Sequence, residues 1–293
     1  MAGFELCVKA HAKVNLYLDV IAKRPDGYHD IETVFHSIGL HDDVMLRRRN
    51  DLEITVRCDR PEVPCDGRNL AYRAAKLLLD NHTDLNGVDI EIHKRIPVAA
   101  GLAGGSANAA AVLAGMNQLF GLGYTPEALS RLGRQLGADV PFCLVGGAAV
   151  GCGIGDELTP LPPLVNAWLT LVNPGLQIST PWAFGQLNLS LTPPQKNVTI
   201  LARCVQEGDL KQLAGRMHNG LESPVFLGYP TLAELKATLA KMSGSYGALM
   251  SGSGATVFAV MQDERSAIRA AASFGQLPFG VAATTSGVGL RFA

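Results

Sequence analysis

The sequence predicts an α+β fold in two units, and three observations carry it. Segments that alternate with period two are interspersed with helical segments in no regular β-α-β order. The stretch TPLPPLVN at 159–166 holds three prolines and marks the expected linker. A length of 293 residues with 47% hydrophobic content suffices for two cores, here 1–160 and 161–293.

Residues 14–20 come first. Val14, Leu16, Leu18 and Val20 fall on one face, and Lys13, Asn15, Tyr17 and Asp19 on the other, as in a half-buried strand. PDGYHD at 25–30 reads as a turn. Strands follow at 43–48 and 52–57, and a helix at 69–81 has Asn69 as its N-cap. Residues 88–96 alternate again. PVAAGLAGGSANAAAVLAGMNQLFG at 97–121 opens as a glycine-rich turn and continues as an alanine-rich helix. The next helix has Thr125 as N-cap, Pro126 in its first turn and Gly137 at its end. GADVPF at 137–142 leads into an expected strand over 142–151.

Beyond the prolines, a strand is expected near 168–173 and a loop over 173–184. Helices are expected near 197–206 and 209–218. Thr231 and Glu234 suggest a capping box for a helix ending at Gly244. MSGSGATVFAVM (250–261) reads as a strand entered through a glycine-rich turn. A helix at 263–274 and two short strands close the chain. The last strand is expected to pack back on the first unit.

Net charge is −1, so no overall basic field draws in nucleic acid or an anionic membrane. A small anion must be held by backbone amides and a few placed cations. The six cysteines form no CxxC pair, and His29, His36 and His41 lack HExxH spacing, so no metal site is indicated. MAGFELCVKAHAK carries no apolar signal core, and no run of about 18 apolar residues occurs, which points to the cytoplasm.

Gly101, Gly104 and Gly105 precede a helix, where unpaired amides and the dipole could cradle phosphate. The same residues also suit a tight turn packed for shape. Neither the Walker spacing nor the dinucleotide fingerprint is present. Lys13 and Asn15 share one strand face and could meet a hydroxyl and a phosphate together, or simply face solvent. Asp139 could handle a hydroxyl proton or cap a helix. SGSG at 251–254 could pack on the first glycine turn, reach a transferred phosphate or form a hairpin. Tyr28 and His29 could stack on a flat base and bond its edge, or serve packing.

Taken in order, these motifs resemble the superfamily of galactokinase, homoserine kinase, mevalonate kinase and phosphomevalonate kinase (the GHMP kinases). The stretches AKVNLYLDVIAKRPDGYHDIETVF (12–35), RNLAYRAAKLL (68–78), PVAAGLAGGSANAAA (97–111), GADVPFCLVGGAAVGCGIGDEL (137–158), NPGLQISTPWAF (173–184) and SGSGATVFAV (251–260) carry the resemblance. KVNLYL with PDGYH is similar to the branch that acts on a cytidine-diphosphate-linked polyol.

The resemblance implies a ribosomal-protein-S5-like amino-terminal domain and a ferredoxin-like carboxy-terminal domain. It implies a phosphotransferase that moves the γ-phosphoryl of ATP, with Mg²⁺, to the 2-hydroxyl of that polyol on the methylerythritol phosphate route to isoprenoids. Asp139 would be the catalytic carboxylate and Lys13 its partner. Asn69, Leu70, Lys94, Gly101, Leu102, Ala103, Gly104, Gly105, Ser106 and Asn108 would bind ATP. Asn15, Tyr28, His29, Asp139, Thr180 and Phe184 would bind the acceptor, with Tyr28 and Phe184 sandwiching cytosine. No protein ligand of a metal is implied, and a monomer or weak homodimer is expected. Ala100, Ala103 and Ala107 replace two glycines and a serine of the family turn and are expected to resist positive φ. Another acceptor, such as homoserine, mevalonate or a sugar, and a non-catalytic ligand sensor are the alternatives.

Overall fold

The structure, a computed structural model, describes residues 6–82, 84–188, 194–195 and 197–293. Residues 1–5 of the amino-terminal segment read above lie outside the described residues. The first half runs β1 (Leu6–Lys23), β2 (His29–Arg48), β3 (Ile54–Cys58), α1 (Leu70–Asp80), β4 (Val88–His93), α2 (Gly104–Phe120), α3 (Pro126–Arg134), α4 (Val140–Val145), β5 (Ala148–Cys152) and β6 (Glu157–Leu161). The second half runs β7 (Trp168–Asn173), α5 (Thr180–Gly185), α6 (Val198–Glu207), α7 (Leu210–Arg216), β8 (His218–Asn219), α8 (Glu222–Gly228), α9 (Pro230–Ala240), β9 (Ser245–Met250), β10 (Val257–Met261), α10 (Glu264–Ala272), β11 (Phe279–Thr284) and β12 (Leu290–Phe292).

One sheet is ordered β12-β1-β2-β4-β3, with β5 on β2, β6 on β5 and β8 on β1. The long β2 pairs β5 through Thr33–His36 and β4 through Asp43–Arg48. Against this sheet lies α2, whose Ala107, Ala109, Ala110 and Ala111 are fully buried. Small side chains are required there: a Cβ on Gly115 would fall 2.4 Å from Leu46. The second sheet, β11-β7-β10-β9, is antiparallel and has the strand order of a ferredoxin-like unit.

The alternation of β1 is real but interrupted. Its register shifts between His11 and Lys13 and again between Asn15 and Tyr17. Such bulges reverse which face a side chain takes. Lys13, Asn15 and Leu18 therefore line one cavity. Tyr17 and Asp19, expected beside Lys13, instead turn away to meet the backbone amides of Asn197 and Gln195. Nor is this strand half-exposed: Lys13, Asn15, Tyr17 and Asp19 are all buried.

Other expectations change. Residues 159–161 of the proline-rich stretch belong to β6, with Pro160 opposite Ala149 on an edge, where a missing N–H is tolerated. The Leu164 amide donates to Nε2 of His36 at 2.9 Å. The strand expected from 142 begins at Ala148, because Val140–Val145 coils as α4 with Pro141 in its first turn. The loop over 173–184 closes into α5. No capping box forms on α9, since Pro230 starts it ahead of Thr231. The short β8 and α8 were not expected.

Candidate active site

A cavity of about 710 Å³ opens between the β1 face, the 26–29 turn, the 99–106 turn, the start of α4, α5 and the 252–253 turn. At its floor the ammonium of Lys13 lies 3.6 Å from Oδ2 of Asp139. The lysine side chain is 6% exposed and the carboxylate 33%. Lys13 also donates to Oδ1 of Asn15 at 2.7 Å and sits 5.3 Å above the ring of Phe35. Asn15 is locked in turn: its Nδ2 donates to Oγ1 of Thr33, which donates to the carbonyl of Tyr17. Asp139 occupies the N-cap position of α4, yet its side chain caps nothing. The carboxylate is thus free to meet a ligand.

Ala99, Gly101 and Ala103 all take positive φ, at 51°, 75° and 59°. Left-handed residues in such a turn expose successive amides, which makes an anion-binding concavity. The turn runs into the amino terminus of the 17-residue α2. Contrary to expectation, Ala103 accepts the left-handed conformation, at a cost of about 1–2 kcal/mol. Only glycine fits at 101, because a Cβ there would stand 2.1 Å from the carbonyl oxygen of Ser251. The second glycine turn is therefore packed on the first. Ser251 Oγ donates to the Gly101 carbonyl at 2.9 Å, and the Thr256 amide donates to that of Ala100.

Leu70, Gly101, Ala103, Gly104, Gly105 and Ser106 line the cavity. Asn69, Lys94, Leu102 and Asn108, also expected at the nucleotide, lie outside its lining. Asn69 caps α1 by accepting from the Ala71 amide and donates to the Pro64 carbonyl. The Leu102 side chain is buried, while its carbonyl accepts from the Lys13 amide. Lys94 and Asn108 converge on Asp42, which sequence reasoning missed. This fully buried carboxylate pairs with Lys94 and accepts from Asn108 Nδ2 and the amides of Arg95 and Ile96. It thereby ties β2 to the approach of the turn and to α2.

On the opposite wall, Tyr28, His29, Thr180 and Phe184 line the same space. The rings of His29 and Phe184 lie 5.2 Å apart with a 35° tilt. Burial, and then the charge of Lys23, holds the His29 imidazole below its usual range, so it stays neutral at pH 7. Arg24 braces the 24–30 turn through Asp26 and Asp30. Thr180 Oγ1 meets Ser253 Oγ at 3.0 Å. Trp182, partly buried, packs edge-on against Tyr229 and against the core of the second unit. Leu18, Ile31, Phe35 and Ile154 also line the cavity; the sequence singled out none of them as a site residue. No group of three metal-ligating side chains occurs among the described residues. The Asp139 carboxylate and Ser106 hydroxyl, both at the cavity, are oxygen donors of the kind a hard cation takes.

Residues 69–147 match the GHMP kinases N terminal domain, and 201–277 match the GHMP kinases C terminal family. A 4-diphosphocytidyl-2-C-methyl-D-erythritol kinase of Alkaliphilus metalliredigens is 46% identical over 256 residues, 87% of this chain and 88% of that protein. A protein of the same name from Nostoc punctiforme is 43% identical over 276 residues, covering 88% and 87%. A crystal structure of 4-(cytidine 5'-diphospho)-2C-methyl-D-erythritol kinase superposes with TM-score 0.81 at 35% identity, over 95% of this chain and 98% of that one. A homoserine kinase from Cytophaga hutchinsonii shares the fold at TM-score 0.79 and 20% identity, over 98% and 97%. With a cavity of this construction and relatives aligned over most of its length, the chain belongs to the GHMP kinases and, within them, to the 4-diphosphocytidyl-2-C-methyl-D-erythritol kinase family.

Proposed function

We propose that this chain transfers the γ-phosphoryl group of ATP to the 2-hydroxyl of 4-diphosphocytidyl-2-C-methyl-D-erythritol, on the methylerythritol phosphate route to isoprenoid precursors. The observation that carries this reading is the Lys13–Asp139 pair, 3.6 Å apart on a floor shared by the 99–106 turn and the His29–Phe184 rings. Phosphoryl transfer needs positioning, anion stabilisation and a group for the nucleophile's proton. The turn amides and the start of α2 hold the nucleotide phosphates. Asp139 accepts the proton of the attacking hydroxyl as the new P–O bond forms and the bond to ADP breaks. Lys13, fixed by Asn15, offsets the negative charge gathering there. Mg²⁺ would be held mainly by the nucleotide's phosphates, with Asp139 and Ser106 as the protein oxygens nearby, and would neutralise phosphate charge. Cytosine stacks against Tyr28 and Phe184, and neutral His29 meets its edge.

The reading assigns the nucleotide mainly to residues 1–160 and places 161–293 on the acceptor side. It also carries a cytoplasmic setting and a monomer or weak homodimer. No helix among the described residues is long and apolar enough to cross a membrane. The test is ADP release with the cytidyl substrate set against mevalonate, homoserine and galactose. The reading requires the cytidyl substrate to be preferred by at least on the order of 10²-fold in kcat/KM, the worth of about 3 kcal/mol of specific contacts. Equal use of a substrate without a base would overturn it.

A further inference from the structure

Asn219 lies outside the cavity lining, yet it grips the turn that joins the cavity's two sides. It is 2% exposed. Its Nδ2 donates to the carbonyls of both Met250 and Gly252, each at 2.8 Å, and its Oδ1 accepts from the Leu221 amide at 2.9 Å. Both amide protons of the side chain are therefore engaged, and both carbonyls belong to the 250–254 segment. Glu222 adds a second hold by accepting from the Met250 amide at 2.9 Å. Asn219 also pairs in parallel with Leu18 on β1, three residues from Asn15 on the strand that carries Lys13.

The gripped turn reaches three ways. Ser251 Oγ donates to the Gly101 carbonyl in the phosphate turn and accepts from the Asn15 amide at 3.4 Å. Ser253 Oγ meets Thr180 Oγ1 on α5, at the acceptor wall. Gly252 and Ser253 themselves line the cavity.

We propose that Asn219 is a positioning residue for phosphoryl transfer: by fixing the 250–254 turn, it sets the spacing between the nucleotide turn and the acceptor wall. This rests on the kinase reading above. Asn219 touches neither reactant, so its effect passes through Ser251 and Ser253. A displacement of about 1 Å between reacting groups can cost on the order of 10²-fold in rate.

The test is Asn219→Asp, which keeps the acceptor for Leu221 and sets an oxygen against two carbonyls. Two readouts are taken on the full-length protein. In kinetics, kcat should fall roughly 10–100-fold while the KM for ATP changes less than about threefold. In hydrogen exchange on ligand-free protein, peptides covering 99–103 should exchange faster as well as those covering 250–254, although Asn219 contacts only the latter. Ser251→Ala removes the next link. It should lower kcat in the same way, and the double variant should be little worse than the poorer single one. If Asn219→Asp does not fold, Ser251→Ala decides alone through the same kcat and 99–103 readouts. Exchange confined to 250–254 with kcat within twofold of the parent, or independent multiplying effects of the two substitutions, would overturn the proposal. Inactivity of the parent on the cytidyl substrate would count against the kinase reading instead, because the exchange coupling needs no substrate.

Discussion

The ammonium of Lys13 and the carboxylate of Asp139 lie 3.6 Å apart, brought together by a bulged strand and the first turn of a short helix. The lysine is held by Asn15 and the Phe35 face, so it is ordered before any ligand arrives. Lys13→Met should keep the packing and lose the charge. We expect kcat to fall by on the order of 10²–10³, the loss typical of one transition-state donor. Steady-state kinetics with circular dichroism as a fold control checks this; a loss below fivefold would remove the lysine from the chemistry.

Base stacking is the second expectation. Tyr28 is 59% exposed at the cavity rim, and Phe184 packs beside His29. Tyr28→Ala or Phe184→Ala should weaken binding of the cytidyl substrate by about 1–3 kcal/mol, one base–aromatic stack, with little change in KM for ATP. Isothermal titration with the cytidyl substrate reads this directly, and unchanged affinity in both variants would refute the sandwich.

Stability of the phosphate turn should depend on Asp42. Its removal leaves Lys94 buried without its carboxylate, and the amides of Arg95 and Ile96 without an acceptor. Breaking one side of a buried pair costs about 3–5 kcal/mol. Asp42→Ala should lose that much in urea denaturation, and adding Lys94→Met should recover part of it. A double variant less stable than the single would contradict this account.

Acid sensitivity should follow His36. Burial pushes its imidazole from 6.5 down to about 4, with Nδ1 donating to the Ser37 carbonyl and Nε2 accepting from Leu164. The unfolded chain then binds the proton more readily. Stability is complete above pH 6.5 and is lost as pH falls toward 4, by on the order of 3 kcal/mol. Burial lowers His11 and His218 as well and adds to the trend, whereas burial raises Glu222 and opposes it. Denaturation midpoints at pH 7 and 4.5 should differ less in His36→Asn than in the parent; equal slopes would exclude this histidine.

Local signals were legible in the sequence where their physics is local. Asn69 caps α1 as its type and position implied, and the glycine turn opens into α2. Lys13, Asn15 and Asp139 reach one cavity. What stayed hidden depended on partners distant in sequence. The bulges in β1 reflect its pairing with β2, so simple alternation placed Tyr17 and Asp19 on the wrong face. Val140–Val145 is apolar enough for a strand, but it coils because Pro141 and Gly146 bound a single turn packed on α2 and α3. The role of Asp42 arises only when 94–96 and α2 arrive beside it, and nothing adjacent in the chain announces that.

The decisive measurement is kcat of Asp139→Ala with ATP and the cytidyl substrate, made on protein whose denaturation midpoint matches the parent. Because the carboxylate caps no helix, its loss should spare the fold. We expect kcat to fall by on the order of 10³ or more. Turnover within tenfold of the parent would show that this carboxylate does not handle the acceptor's proton.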